Sequence, residues 1–349
     1  MYKAEKSGDS FYDVVYEANI PEKHILRRIS KVINWGRLKR YLKKYYYDRG
    51  RDAHNPLMMF KLLVLQFLYD ISDRQLEESS RDRISFRWFV GLGPLDEPPD
   101  HTAYCRFRDR LGPETIKRLF DDIVKQAYEK RMILDRLSVV DSTDIEAKVN
   151  TYKMNEKAKE YKEDDPTKKS PDPDARYGYK NKKKPFFGYK CHMGMDGDTR
   201  IITTLDASAG NVADTEYFDR VHDPNADGVT ADKGYDSEDN YEMIEDEGQR
   251  AAIIPKRLKG RKRGHITNRY PDAGDQQYYR RTKRKRPRIE PKFNEMKNAH
   301  GMWRARYWGL AKMRVQVFLT GIVVNLKRMV TLMFDMSVWK MSEARCAQR

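Results

Sequence analysis

The first third of the chain shows the hydrophobic spacing of short amphipathic helices. Asn55-Pro56 is typical of a helix start, with an N-cap residue followed by proline at the first helical position. Ser72 and Gln75 have the spacing of a capping box. Residues 1–133 are therefore predicted to be all-helical. A DNA-binding helix-turn-helix and a plain amphipathic bundle both fit this pattern.

Beyond residue 133 the apolar positions follow the alternation of β-strands. One face of residues 187–195 is apolar, and Lys190 and His192 share the other face. The remaining predicted strands are 137–143, 200–207, 228–232 and 251–255, with helices at 211–221 and 237–247 between them. The order β-β-β-α-β-α-β predicts a mixed α/β domain over 134–349 that ends in C-terminal helices.

Two stretches interrupt this second domain. Residues 152–185 are dense in Lys, Glu, Asp and Pro and have few large apolar residues, which predicts a mobile insert between the first two strands. Residues 256–288 contain 14 Lys and Arg interleaved with tyrosines, which favours a DNA-contacting basic arm over a packed element.

The positive charge of the chain is concentrated at its C-terminal end. The formal net charge is +16, and residues 251–349 contain 25 Lys and Arg against 6 Asp and Glu. A solvated surface would spread such charge more evenly, so a polyanionic partner is favoured, with nucleic acid ahead of membrane.

Cysteine usage and hydropathy indicate a cytoplasmic protein. Cys105, Cys191 and Cys346 are far apart and form no CxxC pair, which argues against a disulfide framework and a zinc module. The apolar run at 57–69 falls short of the roughly 20 residues that span a bilayer, and the N-terminus lacks an apolar signal core. We therefore expect no membrane association.

Three acidic residues follow patterns that place carboxylates at the edge of a sheet. Asp141 and Asp232 each follow an apolar strand, in SVVDST and GVTADKGY, and Glu290 precedes Pro291 at a predicted helix start. Taken singly, an aspartate at a strand end is more often a cap or turn residue. Together with a basic arm, however, three acidic residues suit phosphodiester chemistry, in which two divalent cations about 3.5–4 Å apart activate the attacking and leaving oxygens.

Motifs over most of the chain resemble the DDE insertion-sequence transposases, in particular the group-four and group-five assemblage with a ribonuclease-H-like catalytic domain. The motifs that carry this resemblance are the N-terminal helical stretch PLMMFKLLVLQFLYDISDRQLEESSRDRISFRWFVGLG, then PDHTAYCRFRDRLG, VVDST, FFGYKCH, ASAGNVADTEYF, TADKGYDS and RPRIEPKFNEMK. The resemblance implies a ribonuclease-H-like mixed sheet with flanking helices, preceded by an all-helical N-terminal domain for end recognition or dimerisation. In such folds the first and fourth strands are central neighbours, and the glutamate lies on a helix after the fifth strand.

The resemblance also implies the reaction and its ligands. Asp141, Asp232 and Glu290 would hold two Mg²⁺ ions, which Mn²⁺ can replace, for cleavage at the terminal inverted repeats and strand transfer into target DNA. Because two DNA ends must be paired, the resemblance suggests a homodimer. It also implies a location in the cytoplasm of a bacterial or archaeal cell. A nuclease without strand transfer and a domesticated DNA-binding protein remain alternatives, and the presence of all three carboxylates argues against the second.

The third motif of the family adds two basic residues. Three residues separate Arg286 from Glu290 and six separate Glu290 from Lys297, as in the family, which implies that Arg286 and Lys297 hold DNA phosphates beside the metals. Members of the family carry a tyrosine three positions before this arginine, where the present chain has Lys283. Because Pro291 disfavours helical geometry at the preceding residue, Glu290 is predicted at the helix edge and Arg286 in the loop before it.

Further polar residues near these motifs divide into DNA-binding candidates and structural ones. Lys190, His192 and Lys233 are candidates for DNA contact, although Lys190 and His192 could instead line the site, and a lone histidine is more often structural. Asn211 and Asp214 have the pattern of an N-cap and first helical turn. Four acidic rivals of the triad are interpreted as solvated surface groups: Asp144, Glu146, Asp236 and Glu295.

Overall fold

The computed structural model describes residues 11–43, 54–160, 165–181, 184–256 and 269–334. The chain divides into two compact units. The first contains Met1–Lys130 and Phe318–Arg349, and the second contains Arg131–Val317. The last part of the C-terminal helix thus packs with the N-terminal unit, which the hydrophobic pattern along the chain does not indicate.

The first unit is helical throughout its described part, as predicted. Its helices are α1 (Phe11–Asn19), α2 (Ile25–Val32), α3 (Trp35–Leu42), α4 (Pro56–Leu68), α5 (Asp73–Asp82), α6 (Ile84–Val90) and α7 (His101–Glu129). Asn55 caps α4, and Ser72 and Gln75 form the predicted capping box at the start of α5. Helix α7 is kinked at Gly112, whose φ of 65° leaves the helical region before Pro113 starts the next segment.

A buried polar network joins three of these helices. Arg108 on α7 donates to both carboxylate oxygens of Asp73 on α5, at 2.6 and 2.7 Å, and to Gln66 on α4 at 3.0 Å. Burial of a charged guanidinium is tolerated because a carboxylate pairs with it through two hydrogen bonds. This network fixes the relative positions of α4, α5 and α7.

The second unit is built on one mixed sheet of six strands among the described residues. The strands are β1 (Ser138–Glu146), β2 (Arg176–Asn181), β3 (Lys184–Asp196), β4 (Ile202–Ala209), β5 (Gly228–Ala231) and β6 (Arg250–Ala251). The order is β2-β3-β1-β5-β6, and β4 also pairs with β3. The first half of β3 pairs with β2 and the second half with β4, both antiparallel. This is the mixed sheet that the sequence predicts.

Several helices surround this sheet. They are α8 (Thr151–Glu160), α9 (Phe218–Val221), α10 (Glu238–Asp246), α11 (Ala273–Thr282), α12 (Glu290–Asn294) and α13 (Leu310–Phe334), of which α13 continues into the first unit. Short 3-10 turns cover Thr215–Tyr217, Lys233–Tyr235 and Arg286–Ile289, and a π-helical turn covers Glu295–Ala299.

The centre of the sheet brings two distant parts of the chain together. Strands β1 and β5 are parallel neighbours, with Val140 beside Ala231. Because both strands run in the same direction, the next residue on each side, Asp141 and Asp232, lies at the same level. The predicted fifth strand is also present, since Ala252 N donates to Val229 O at 2.7 Å beyond the end of β6.

The predicted mobile insert needs correction in its described part. Strand β2 lies within 152–185 and pairs with β3, and Asp172 is fully buried. The Asp172 carboxylate accepts hydrogen bonds from the Tyr189 hydroxyl at 2.6 Å and from Gly309 N at 3.1 Å. Composition alone misleads here because a few buried polar contacts order a segment that is poor in large apolar residues.

The predicted basic arm is also only partly correct. Residues 257–268 lie outside the described part of the chain. Within the remainder, Tyr270 and Tyr279 are buried, stack with ring centroids 5.0 Å apart and pack against Ala252. The described part of the arm is therefore packed against the sheet, because its tyrosines supply the apolar surface that its basic residues lack.

Helix α13 is long and apolar enough to cross a membrane, by length and composition alone. In its most apolar 18-residue stretch, however, 72% is buried within the protein. Core helices pass the same test, so this helix is weak evidence for a membrane span.

Candidate active site around Arg286

The three predicted catalytic carboxylates converge on one guanidinium group, that of Arg286. Its Nη2 atom lies 2.8 Å from Asp141 Oδ2 and 3.8 Å from Asp232 Oδ2. Its Nη1 atom lies 3.6 Å from Glu290 Oε1. The structure therefore brings together four of the residues that the sequence singles out, from three separate segments of the chain.

Each carboxylate is placed by a different element. Asp141 lies within β1, and its Oδ1 accepts a hydrogen bond from Ser142 N at 2.9 Å. Asp232 follows the last residue of β5 and precedes the 3-10 turn Lys233–Tyr235. Glu290 is the first residue of α12, as predicted, whereas Arg286 opens a 3-10 turn instead of an open loop.

The segment that carries Arg286 is anchored by its neighbours to the turn between β3 and β4. Lys285 Nζ contacts both carboxylate oxygens of Asp198, at 2.9 and 3.2 Å. Arg288 Nη1 donates to Gly197 O at 2.7 Å and lies 3.3 Å from Asp198 Oδ1. These contacts restrain the backbone on both sides of Arg286. The Arg286 side chain therefore extends toward the carboxylates from a backbone position that is held in place.

The carboxylates differ strongly in exposure. The side chains of Asp141, Asp232 and Glu290 are 15%, 38% and 63% exposed, respectively. Burial raises the pKa of Asp141 to about 6, while the nearby Arg286 opposes this by favouring the ionised carboxylate. The triad thus combines one buried, one half-buried and one exposed carboxyl group.

This donor set suits a hard divalent cation, since all three side chains offer carboxylate oxygens directed at a positive group. Among the described residues, no three Asp, Glu, His or Cys side chains are grouped closely enough to hold a metal ion as they stand. The carboxylates are separated by the guanidinium between them.

Asp214 is the polar residue of this region that sequence reasoning missed. Its Oδ1 accepts hydrogen bonds from Ser142 Oγ and Lys190 Nζ, both at 3.0 Å. The sequence predicts Asp214 in the first turn of a helix capped by Asn211, but in the structure Asp214 precedes the 3-10 turn Thr215–Tyr217 and its side chain makes no capping hydrogen bond to it. The signal available was its position in the motif ASAGNVADTEYF, one of the segments that carry the family resemblance.

Lys190 and His192 lie on the Asp214 side of this region. Lys190 Nζ also donates to Val212 O at 2.9 Å. His192 is fully buried, stacks on Tyr217 at 4.3 Å and has its Nε2 atom 2.8 Å from Ser208 Oγ. Both predicted residues are therefore engaged within the protein.

The buried imidazole of His192 predicts a specific loss of stability in acid. Burial lowers the pKa of His192 to about 4, whereas an unfolded histidine has a pKa near 6.5. As pH falls from about 6.5 to 4, the unfolded chain takes up a proton that the folded chain does not, so folding becomes less favourable by up to about 3 kcal/mol. His192→Gln should lack this component and lose less stability with acid, as measured by urea unfolding at several pH values.

The difference in pH dependence between the wild type and His192→Gln reports the contribution of His192 alone, because the two proteins share all other titrating groups. Equal pH dependence of the unfolding free energy in both proteins would show that His192 is not held neutral by burial.

The remaining predicted residues occupy more peripheral positions. Lys233 is exposed immediately after Asp232, whereas Lys297 Nζ lies 3.3 Å from Asp144 Oδ1. Of the four rival carboxylates, Glu146 is exposed, as predicted. The other three are partly buried and paired, which corrects their interpretation as solvated groups: Asp144 with Lys297, Asp236 with the Lys256 backbone, and Glu295 with Lys292.

Two family models match this chain. Residues 134–326 match the family described as "Transposase DDE domain", and residues 14–110 match "Transposase domain (DUF772)". The chain is also similar, at 12% identity and a TM-score of 0.38, to the "Cryo-EM structure of piggyBac transposase synaptic complex with hairpin DNA (SNHP)". That match covers 93% of this chain and 75% of that chain. Since the DDE match covers more than half of the chain, the protein belongs to the DDE transposase family, enzymes that cut DNA and transfer its strands.

Proposed function

We propose that this transposase cleaves at the ends of an insertion sequence and joins the freed ends to target DNA, with Asp141, Asp232 and Glu290 as the ligands of Mg²⁺. The observation that carries this proposal is the convergence of these three carboxylates on a single positive group. Oxygen ligands of this kind favour Mg²⁺, and Mn²⁺ accepts the same ligands.

The three carboxylates would have different roles in this reaction. A pair of divalent ions, when bound, would lower the pKa of the attacking water or hydroxyl and neutralise charge on the leaving oxygen. Asp141, the most buried of the three carboxylates, would hold a cation from a fixed position, because β1 and the hydrogen bond from Ser142 N restrain its side chain. Asp232 and Glu290 are more exposed and close the site from the side open to solvent.

Basic residues around the triad would bind the DNA backbone. Lys233 is exposed beside Asp232, which supports a contact between its side chain and a phosphate. Arg286 and Lys297 pair with carboxylates and would exchange these partners for phosphates when DNA binds. Lys190 and His192 would support the site from within the protein, since Lys190 Nζ and His192 Nδ1 lie 3.0 and 3.9 Å from Asp214 Oδ1 and neither side chain extends into solvent.

Cleavage of both ends of an element requires two active sites, and we propose that a homodimer holds the terminal inverted repeats together. Light scattering of the protein with end DNA should give two chains and two DNA duplexes per complex. A complex of one chain with one duplex throughout the reaction would contradict this arrangement.

The reaction itself is tested by incubating the full chain with end DNA, a target plasmid and Mg²⁺, and by analysing the products. We expect nicks that free 3′-hydroxyls at the ends, followed by end DNA joined covalently to the plasmid. Nicking without joining would indicate a nuclease, and binding without nicking would indicate a DNA-binding protein that has lost catalysis.

A further inference from the structure

The position of Arg286 has a consequence for the way the triad acquires its metal. The Arg286 side chain is directed at the space between the carboxylates of Asp141, Asp232 and Glu290, with Nη contacts of 2.8, 3.8 and 3.6 Å. Its side chain is only 19% exposed, so these interactions are partly shielded from water. One positive charge thus neutralises part of a charge of −3 carried by the ionised triad.

A guanidinium and a divalent cation cannot share this space. Like charges a few ångströms apart repel strongly in a partly buried site. The carboxylate oxygens that face Arg286 are also the atoms that a metal would bind. Arg286 and the cation therefore compete for the same ligands.

The Arg286 side chain has few hydrogen bonds to lose if it leaves this position. Only the contact to Asp141 is a short hydrogen bond, and the Nε atom is buried without a hydrogen-bond partner among the described residues. The backbone on both sides is anchored to Asp198 through Lys285 and Arg288. The side chain can thus swing away without displacing the segment that carries it.

We propose that Arg286 is a positioning residue that holds the three carboxylates together through one guanidinium and that a divalent cation must displace it in order to bind. This inference rests on the proposed function, because it takes the triad as the metal site. It goes further in assigning to Arg286 a competition with the metal, in addition to a contact with DNA. Displacement by the metal would also release the guanidinium to bind a phosphate.

The competition is tested by titrating Mn²⁺ into the full chain without DNA and following free Mn²⁺ by electron paramagnetic resonance. Arg286→Gln should bind Mn²⁺ about tenfold more tightly than the wild type, because removing a competing charge at this distance is worth at least that factor. Arg286→Lys keeps the charge but cannot contact three carboxylates, so its affinity should lie between the two.

A matched control separates this local effect from the overall charge. Arg284 is an exposed residue two positions earlier in the same segment. Arg284→Gln makes the same change in net charge and should leave Mn²⁺ affinity within about twofold of the wild type, as expected of a screened surface charge. Structural damage would weaken binding, so a gain in affinity specific to position 286 cannot arise from misfolding.

The outcomes distinguish failure of the inference from failure of the proposed site. If Asp232→Asn weakens Mn²⁺ binding but Arg286→Gln and Arg286→Lys bind no more tightly than the wild type, the metal site stands and the competition is refuted. If Asp232→Asn binds Mn²⁺ as well as the wild type, the triad is not the metal site and both ideas fail. If Arg286→Gln does not fold, the Mn²⁺ affinity of Arg286→Lys is compared with that of the wild type instead, and an affinity no higher than the wild type's refutes the competition.

Discussion

Replacing Asp141 or Asp232 with asparagine should reduce cleavage of end DNA by at least about a thousandfold, which corresponds to roughly 4 kcal/mol in the barrier. Asparagine has nearly the same shape as aspartate, so β1 and β5 should keep their register, but its neutral amide cannot supply the anionic oxygen that a divalent ion needs. Strand joining should fall with cleavage, because the same ligands serve both steps. Both activities are measured on labelled end DNA under single-turnover conditions.

A control on the same strand tests whether the loss is specific to the triad. Glu146 lies on β1 with an exposed side chain, and Glu146→Gln removes one negative charge as Asp141→Asn does. This variant should cleave at close to the wild-type rate, and all three variants should still bind end DNA. Wild-type cleavage by Asp141→Asn or Asp232→Asn would mean that the affected carboxylate is not a catalytic ligand.

Adding a methyl group at Gly188 should destabilise the protein by at least about 3 kcal/mol, at the upper end of overpacking effects. A Cβ at this position would collide with the Ile145 carbonyl oxygen and lie 2.7 Å from Ala147 N. These atoms belong to the backbone at the end of β1 and cannot rotate away as a side chain would. The strand that carries Asp141 would have to separate from β3.

Thermal unfolding and soluble yield of Gly188→Ala measure this effect, with Gly274→Ala as the matched control. Gly274 lies in helix α11, and a Cβ there meets no atom within 4 Å. Alanine is favoured over glycine in helices by up to about 1 kcal/mol, so the control should be neutral or slightly stabilised. A melting temperature of Gly188→Ala within a few degrees of the wild type would refute the steric argument.

Local patterns predicted the parts of this molecule that local forces determine. The capping box at Ser72, the strand β1 that contains Asp141 and the strand β5 that precedes Asp232 follow from spacing within a few residues. The adjacency of the two aspartates is a property of topology, and the resemblance to a known family supplied it.

The features that sequence reasoning missed depend on contacts between distant residues. The residues next to Asp214 predict that it belongs to the first turn of a helix, but its partners Ser142 and Lys190 come from β1 and β3. The composition around β2 indicates an unpacked chain, and the buried Asp172 that orders it is recognised only through Tyr189 and Gly309. The convergence on Arg286 likewise combines three segments, and no single window of the sequence contains it.

The continuity of helix α13 constrains how such a protein can be divided or recombined. The helix begins in the second unit, and from Phe318 onward it supplies buried residues to the first, where Phe318 packs on Phe120 with ring centroids 6.0 Å apart. A fragment that stops before this point would leave the N-terminal helices without part of their core. A chimaera that takes the N-terminal helices from a related transposase should therefore fold only if it takes the end of helix α13 from the same protein. The two segments that form the first unit should then be inherited together, although they are far apart in the gene.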